Sequence, residues 1–173
     1  NVGIPTLGRA FDASTTQLQW IVDAYTLVFA VLMLPGGYLG DRVGRRKILI
    51  TGLLGFAVVS SVSAMTTHIT VLIGLRVLLG ICAALVFPAT LSLISTIFKG
   101  TKHHALAVGL WAATAGLGIA LGPVVGGLLL EHFEWPSLFW INIVIVLPVV
   151  GISSFLVPES RSNKLGRFDA VGM

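Results

Sequence analysis

The stretch GYLGDRVGRRKIL, residues 37–49, places one acid and four basic residues between two long apolar runs. Only 10% of the 173 residues are charged, whereas about a quarter are charged in an ordinary soluble domain. The mean hydropathy is +0.97. A chain with so little polar surface cannot cover a water-facing globule, so we expect the lipid bilayer to be its solvent.

Five long apolar runs follow one another along the chain, and each is near or above the roughly 20 residues that a helix needs to cross a bilayer. Because the bilayer core offers no water to backbone groups, the runs are predicted to be helices. We therefore predict an all-α integral membrane protein. Pro35 and Gly36 are expected to end the first span. The predicted spans are 18–39, 48–66, 71–98, 105–130 and 138–157.

Lysine and arginine residues alternate between the connecting segments, which predicts the orientation of the helices. Segments 40–47 and 99–104 are basic, as is the tail 158–173, whereas 66–70 and 131–137 contain no lysine or arginine. Nine of the eleven basic residues thus fall on one side. That side is predicted to be cytoplasmic, with 158–173 leading to a further helix.

Several functional classes receive no support from the residue pattern. The basic residues lie between apolar runs instead of forming a patch, so no nucleic-acid partner is expected. Cys82 is the only cysteine of the chain. His103 and His104 follow one another in the sequence, and neighbouring positions on a helix have poor geometry for sharing one metal ion. No catalytic set of serine, histidine and acid is present at the membrane interface. We expect neither an enzyme nor a metal or organic cofactor.

Two charged residues lie inside predicted spans, where charge is costly and usually faces a protein interior or an aqueous cavity. Arg76 shares a helix face with small residues such as Gly80, which would admit a neighbouring helix. We expect Arg76 to be held against a carboxylate and to tune the proton affinity of that carboxylate. The alternative is that Arg76 snorkels to the interface.

Asp23 is the second charged residue inside a predicted span. It is either a hydrated residue at the outer boundary, or a protonatable group or counter-charge for a cationic substrate.

The fourth span contains GIALGPVVGG, residues 118–127, in which glycine recurs every fourth residue. Such a stripe lets two helix backbones approach closely, and the embedded proline bends the helix. Trp111, one turn or more earlier, is interpreted mainly as a packing residue, with a platform for ligands as the alternative. The stripe consists of Gly118, Gly122 and Gly126, and the motif also contains Pro123 and Gly127.

Together these motifs resemble those of the major facilitator superfamily, specifically its fourteen-helix drug:proton antiporter branch. GYLGDRVGRRKIL is similar to the signature between helices two and three, LIGLRVLLGICAA to that of helix four, and GIALGPVVGG to the antiporter signature of helix five. In the helix-four motif Leu79 stands where the family commonly has glutamine. The positions carried over from the first signature are Gly37, Asp41, Arg42, Gly44, Arg45 and Arg46.

The resemblance implies that the spans are helices two to six of a longer transporter that works by alternating access, and that NVGIPTL is the end of helix one. It implies that Arg76 tunes proton release, that the glycine stripe lets helix five move against the other bundle, and that Asp41 holds one conformation closed. Asp23 is a further candidate for proton coupling. The helix-one acid of the family would lie before Asn1.

The function implied is export of lipophilic or cationic small molecules across the plasma (inner) membrane, driven by the proton gradient. The expected partners are the substrate, the bilayer and the carboxy-terminal half of the same transporter. Two alternatives remain open. The chain could belong to a facilitator-type importer of sugars or metabolites, or it could be a truncated fragment that is inactive on its own.

Overall fold

The computed structural model describes residues 2–160, which form helices joined by short connections, without a strand in that range. This confirms the predicted all-α class. Arg161, Lys164 and Arg167, in the predicted segment 158–173, lie outside the described residues. The helices are α1 (Ile4–Phe11), α2 (Thr15–Val43), α3 (Arg45–Met65), α4 (Ile69–Ile97), α5 (His104–His132) and α6 (Ser137–Leu156).

Helices α2 to α6 are each long and apolar enough to cross a membrane. The short α1 leads into α2 through a turn at Asp12, whose backbone is left-handed (φ 47°). A capping box then starts α2, because the Ser14 hydroxyl accepts from the Gln17 amide (3.3 Å) and the Gln17 side chain accepts from the Ser14 amide (2.9 Å). The sequence itself thus fixes the point at which α2 begins.

The prediction that Pro35 and Gly36 end the first span is wrong, because α2 continues through both residues to Val43. A proline removes only one backbone hydrogen bond from a helix, and packing against a neighbouring helix compensates for that loss in a membrane. Likewise, the predicted connection 40–47 is reduced to Gly44, the cap shared by α2 and α3. The other prolines within spans, at 88, 123 and 148, also lie inside helices.

Helix α4 is the centre of the bundle and packs mainly against α2 and α3. A Cβ atom built on Gly36 would lie 2.3 Å from the Ala84 carbonyl oxygen, and one built on Gly80 would lie 2.8 Å from the Tyr25 carbonyl oxygen. Backbones can approach this closely only where a side chain is missing. The small face predicted on α4 therefore does receive a neighbouring helix, α2.

The buried apolar residues form two clusters, one toward each end of the bundle. Leu72 and Leu79 are the most deeply buried members of the first cluster, and Leu53 and Leu93 belong to the second. Helix α6 packs against α3, where the Asn142 amide donates to the Ser60 hydroxyl over 3.3 Å. Helix α5 contains no buried residue, so it lies at the side of the described bundle.

Candidate functional site

Arg76 is held on α4 by contacts with α2. Its Nε atom donates to the Ile21 carbonyl oxygen at 2.7 Å, and its guanidinium carbon lies 4.6 Å from the centre of the Tyr25 ring. A cation over an aromatic face is attracted by the quadrupole of the ring. The side chain is partly buried and borders a cavity of about 180 Å³ that also touches Asn142 and Leu7. Arg76 therefore faces the protein interior.

The predicted carboxylate partner of Arg76 is not found among residues 2–160, where the recorded ion pair joins Arg45 and Asp41. A carbonyl oxygen and an aromatic ring take its place. Asp23 is exposed and lies two residues after Ile21, so it projects from nearly the opposite side of α2. The structure therefore does not bring the two predicted proton-coupling residues together.

Asp41 and Arg45 form an ion pair across the junction of α2 and α3, with 2.7 Å between Oδ1 and Nε. Arg45 also donates to the Thr96 hydroxyl and, at 3.5 Å, to the Ser92 carbonyl oxygen. The arginine thus links the ends of α2, α3 and α4. Asp41, the predicted gate residue, therefore pairs with a basic residue of this same bundle, Arg45.

Three of the remaining positions of the loop signature, Gly37, Gly44 and Arg46, make close contacts around the same junction. Gly44 has φ 131°, a conformation that other residues rarely adopt. A Cβ atom on Gly37 would lie 3.3 Å from Cβ of Pro88. Arg46 donates from its guanidinium to the Ser154 carbonyl oxygen near the end of α6, whereas Arg42 is exposed on α2.

Glu159 is a residue of this junction that sequence reasoning missed. Its Oε1 atom accepts from the Arg46 amide at 3.2 Å, at the start of α3, and the Arg45 amide donates to the Ser160 carbonyl oxygen at 3.0 Å. A carboxylate is favoured there because it faces unpaired amides and the positive end of the helix dipole. The available signal was an acid two positions after the last apolar run, which ends at Val157.

The glycine stripe of α5 faces away from the described bundle over most of its length. Cβ atoms built on Gly118 and Gly122 would meet no other atom within 4 Å, whereas those on Gly126 and Gly127 would reach Leu138 (3.8 Å) and Val2 (4.0 Å). Pro123 lies inside the helix. The stripe therefore presents a bare backbone surface to whatever adjoins α5.

Tyr25 is the second residue that sequence reasoning missed. It belongs to an aromatic row that crosses three helices and ends at Trp111 of α5, by way of Phe29 and Phe87. Neighbouring ring centres are between 5.0 and 6.1 Å apart, within the range of favourable ring pairs. A spacing of four residues between Tyr25 and Phe29 was the local signal.

Comparison with known proteins identifies a family over nearly the whole chain. The model of the Major Facilitator Superfamily matches residues 1–170. The multidrug efflux pump LfrA of Mycolicibacterium smegmatis is 45% identical over 170 residues, which cover 98% of this chain and 34% of that protein. The methyl viologen resistance protein SmvA of Salmonella typhimurium is 44% identical over 164 residues, covering 95% of this chain and 33% of that protein.

A third relative is not described as a drug exporter or a resistance protein. The riboflavin transporter RibZ of Clostridioides difficile is 33% identical to this chain over 174 residues, which cover 100% of this chain and 38% of that protein. The chain thus spans about a third of the length of the curated relatives that it matches. Five helices able to cross a membrane and a family model matching residues 1–170 lead to one conclusion: this chain is a multi-pass membrane protein and belongs to the major facilitator superfamily.

Proposed function

We propose that this chain is the amino-terminal helical bundle of a longer transporter that exports small lipophilic or cationic compounds in exchange for protons. Relatives at 44–45% identity are described as a multidrug efflux pump and a methyl viologen resistance protein. Their length supports a second, carboxy-terminal bundle as the partner of this one. The proposed location is the plasma (inner) membrane.

The observation that carries the proposal is the open glycine stripe of α5. Gly118 and Gly122 have no neighbour within 4 Å of an added Cβ atom, so a helix outside the described residues can approach their backbone closely. The sequence motif around Pro123 resembles the antiporter signature. An interface made of backbone and small residues supports sliding or rocking, because it holds few interlocking side chains.

In this proposal Arg76 tunes proton exchange in the cavity between the bundles. It is held toward the interior by Ile21 and Tyr25, so its charge is available to an acid from outside residues 2–160. Asp41 holds one conformation closed through its position at the cytoplasmic end of α2, and the conformational change would exchange or release the Arg45 contact. Asp23 remains a candidate for proton coupling from the opposite face of α2.

The proposed energy source is the proton gradient, and the proposal includes no organic cofactor, metal or enzymatic reaction. The nearest alternative is a facilitator-type importer of sugars or metabolites, and the similarity to a riboflavin transporter is the observation in its favour. A second alternative is that the 173-residue chain transports nothing alone because it lacks a bundle to move against.

The test is ethidium accumulation in cells that express the full-length protein containing this segment. We expect accumulation below that of cells with an empty vector, and a rise to the vector level when a protonophore collapses the gradient. Equal accumulation in both cell lines would contradict dye export, and export that survives the protonophore would contradict proton coupling. Expression of residues 1–173 alone is expected to give no export, which tests the need for the second bundle.

A further inference from the structure

A groove of about 670 Å³ separates α4 from α5 on the side of Trp111. Its size is that of a site for a drug-sized molecule. Phe87 and Thr90 line it from α4, whereas Leu110, Trp111 and Thr114 line it from α5, and none of the lining residues is charged. The groove therefore offers apolar contact and aromatic faces.

The indole of Trp111 is fixed in position by a hydrogen bond between the two walls of the groove. Its Nε1 atom donates to the Thr90 hydroxyl oxygen at 3.1 Å, and that hydroxyl donates to the Phe87 carbonyl oxygen at 2.7 Å. The only donor of the indole is thus occupied. A ring held in this way loses little conformational entropy when a ligand stacks on it.

Few polar groups remain free in the groove to choose a ligand by hydrogen bonding. The Thr114 hydroxyl donates to the Leu110 carbonyl oxygen at 2.8 Å within α5, and the Thr90 hydroxyl is engaged as described. The rings of Phe87 and Trp111 are tilted by 55° with 5.0 Å between their centres. Recognition must therefore depend on aromatic faces and apolar contact.

The groove lies at the end of the aromatic row that is farther from Arg76. Arg76 occupies the face of Tyr25 at one end, and Phe87 lies eleven residues after Arg76 on the same helix, which is about 16 Å at 1.5 Å per residue. A cationic ligand near Trp111 thus avoids close repulsion by the guanidinium. The face of an indole also attracts cations.

We propose that Phe87, Trp111 and Thr90 form a subsite for the flat aromatic ring system of a transported compound, which the site distinguishes from an aliphatic compound of the same charge. Trp111 supplies the stacking face, Phe87 packs against the edge of the ligand, and Thr90 positions the indole. The assignment rests on the proposed transport function, because it names the substrate feature that this bundle binds.

The test compares two cations, ethidium and tetrabutylammonium, in equilibrium binding to the purified full-length protein in detergent without a proton gradient. Trp111→Leu is expected to weaken ethidium binding about three- to tenfold, the range expected for losing one aromatic contact. Tetrabutylammonium binding is expected to change less than about twofold, because an alkyl cation gains little from a flat ring. Trp111→Phe, which keeps a ring, is expected to retain most of the ethidium affinity.

Two further variants separate the subsite from general damage. Trp140→Leu removes an exposed tryptophan of α6 that does not line the groove, and it is expected to leave both affinities unchanged. Thr90→Val removes the acceptor for the indole while keeping the ring, and it is expected to weaken ethidium alone. This variant provides the test if Trp111→Leu does not fold.

Equal loss of both cations, or no loss of either, would overturn the subsite. The second result is the one expected if a lipid chain or another helix of the transporter fills the groove. Because binding is measured without a gradient, the two proposals can fail separately. Binding that depends on Trp111 in a protein that does not export ethidium would contradict only the export proposal.

Discussion

The guanidinium carbon of Arg76 lies 4.6 Å from the centre of the Tyr25 ring, which places a charge from α4 on an aromatic face from α2. The same arginine donates to the Ile21 carbonyl oxygen, one turn before Tyr25. An intramembrane cation is costly unless such groups replace its water. The ring and the carbonyl oxygen together make the position tolerable without a carboxylate among residues 2–160.

Tyr25→Leu is expected to destabilise the bundle by about 1–2 kcal/mol, because a desolvated cation loses its aromatic partner. Tyr25→Phe keeps the ring face and is expected to cost less than half as much. A double-mutant cycle with Arg76→Met, measured by unfolding in mixed detergent micelles, isolates the pair from other contacts of Tyr25. A coupling energy near zero would show that the ring merely lies next to the arginine.

Gly36→Ala is expected to destabilise the contact between α2 and α4. The new methyl group would lie 2.3 Å from the Ala84 carbonyl oxygen, a backbone atom that cannot rotate away. Forcing the helices apart costs about 1–3 kcal/mol by analogy with overpacked cores. Gly74→Ala is the matched control, since a methyl group there meets no atom within 4 Å. Thermal unfolding should separate the variants, and equal stabilities would contradict this contact.

Much of the fold could be predicted from sequence because the bilayer restricts the alternatives. Each apolar run had to be a helix, since backbone groups in lipid must bond internally. The small residues following Arg76 indicated a face for close approach, and the structure packs Gly80 on the backbone of Tyr25. The end of α2 was misplaced at Pro35 because a proline has different consequences in water and between packed membrane helices.

The partners of the site residues could not be predicted in the same way. Arg76 contacts Ile21, which lies 55 positions away, and Arg46 contacts Glu159, which lies 113 positions away. Such contacts depend on how the helices are arranged, and composition and periodicity along one helix do not specify that arrangement. Glu159 in particular reaches α3 only because α6 packs beside it.

Glu159→Ala is expected to destabilise the start of α3 by about 0.5–1 kcal/mol at low salt, because the Arg46 amide loses a charged acceptor at the positive end of the helix. Glu159→Gln keeps an oxygen acceptor and is expected to lose roughly half as much. Glu134→Ala, in the exposed connection between α5 and α6, is the control. At about 1 M salt, screening should reduce the difference in unfolding free energy between the unsubstituted protein and the Glu159→Gln variant. A difference that does not change with salt would contradict the electrostatic contribution of Glu159.

Gly122→Leu is expected to leave the described bundle folded while slowing transport by the full-length protein. Outside the adjacent backbone of α5, no atom lies within 4 Å of a Cβ atom added there, and Gly122 is exposed. A leucine side chain would therefore start in open space, but it would hold away a helix that approaches the stripe. Gly116→Leu is the matched control, because that position is equally open and lies about 120° around the helix from Gly122. We expect the two variants to show similar thermal unfolding. Only Gly122→Leu is expected to reduce ethidium export, by about tenfold or more. A tenfold loss corresponds to about 1.4 kcal/mol in the barrier to conformational exchange. Equal export by the two variants would mean that the open glycine face of α5 does not form the moving interface.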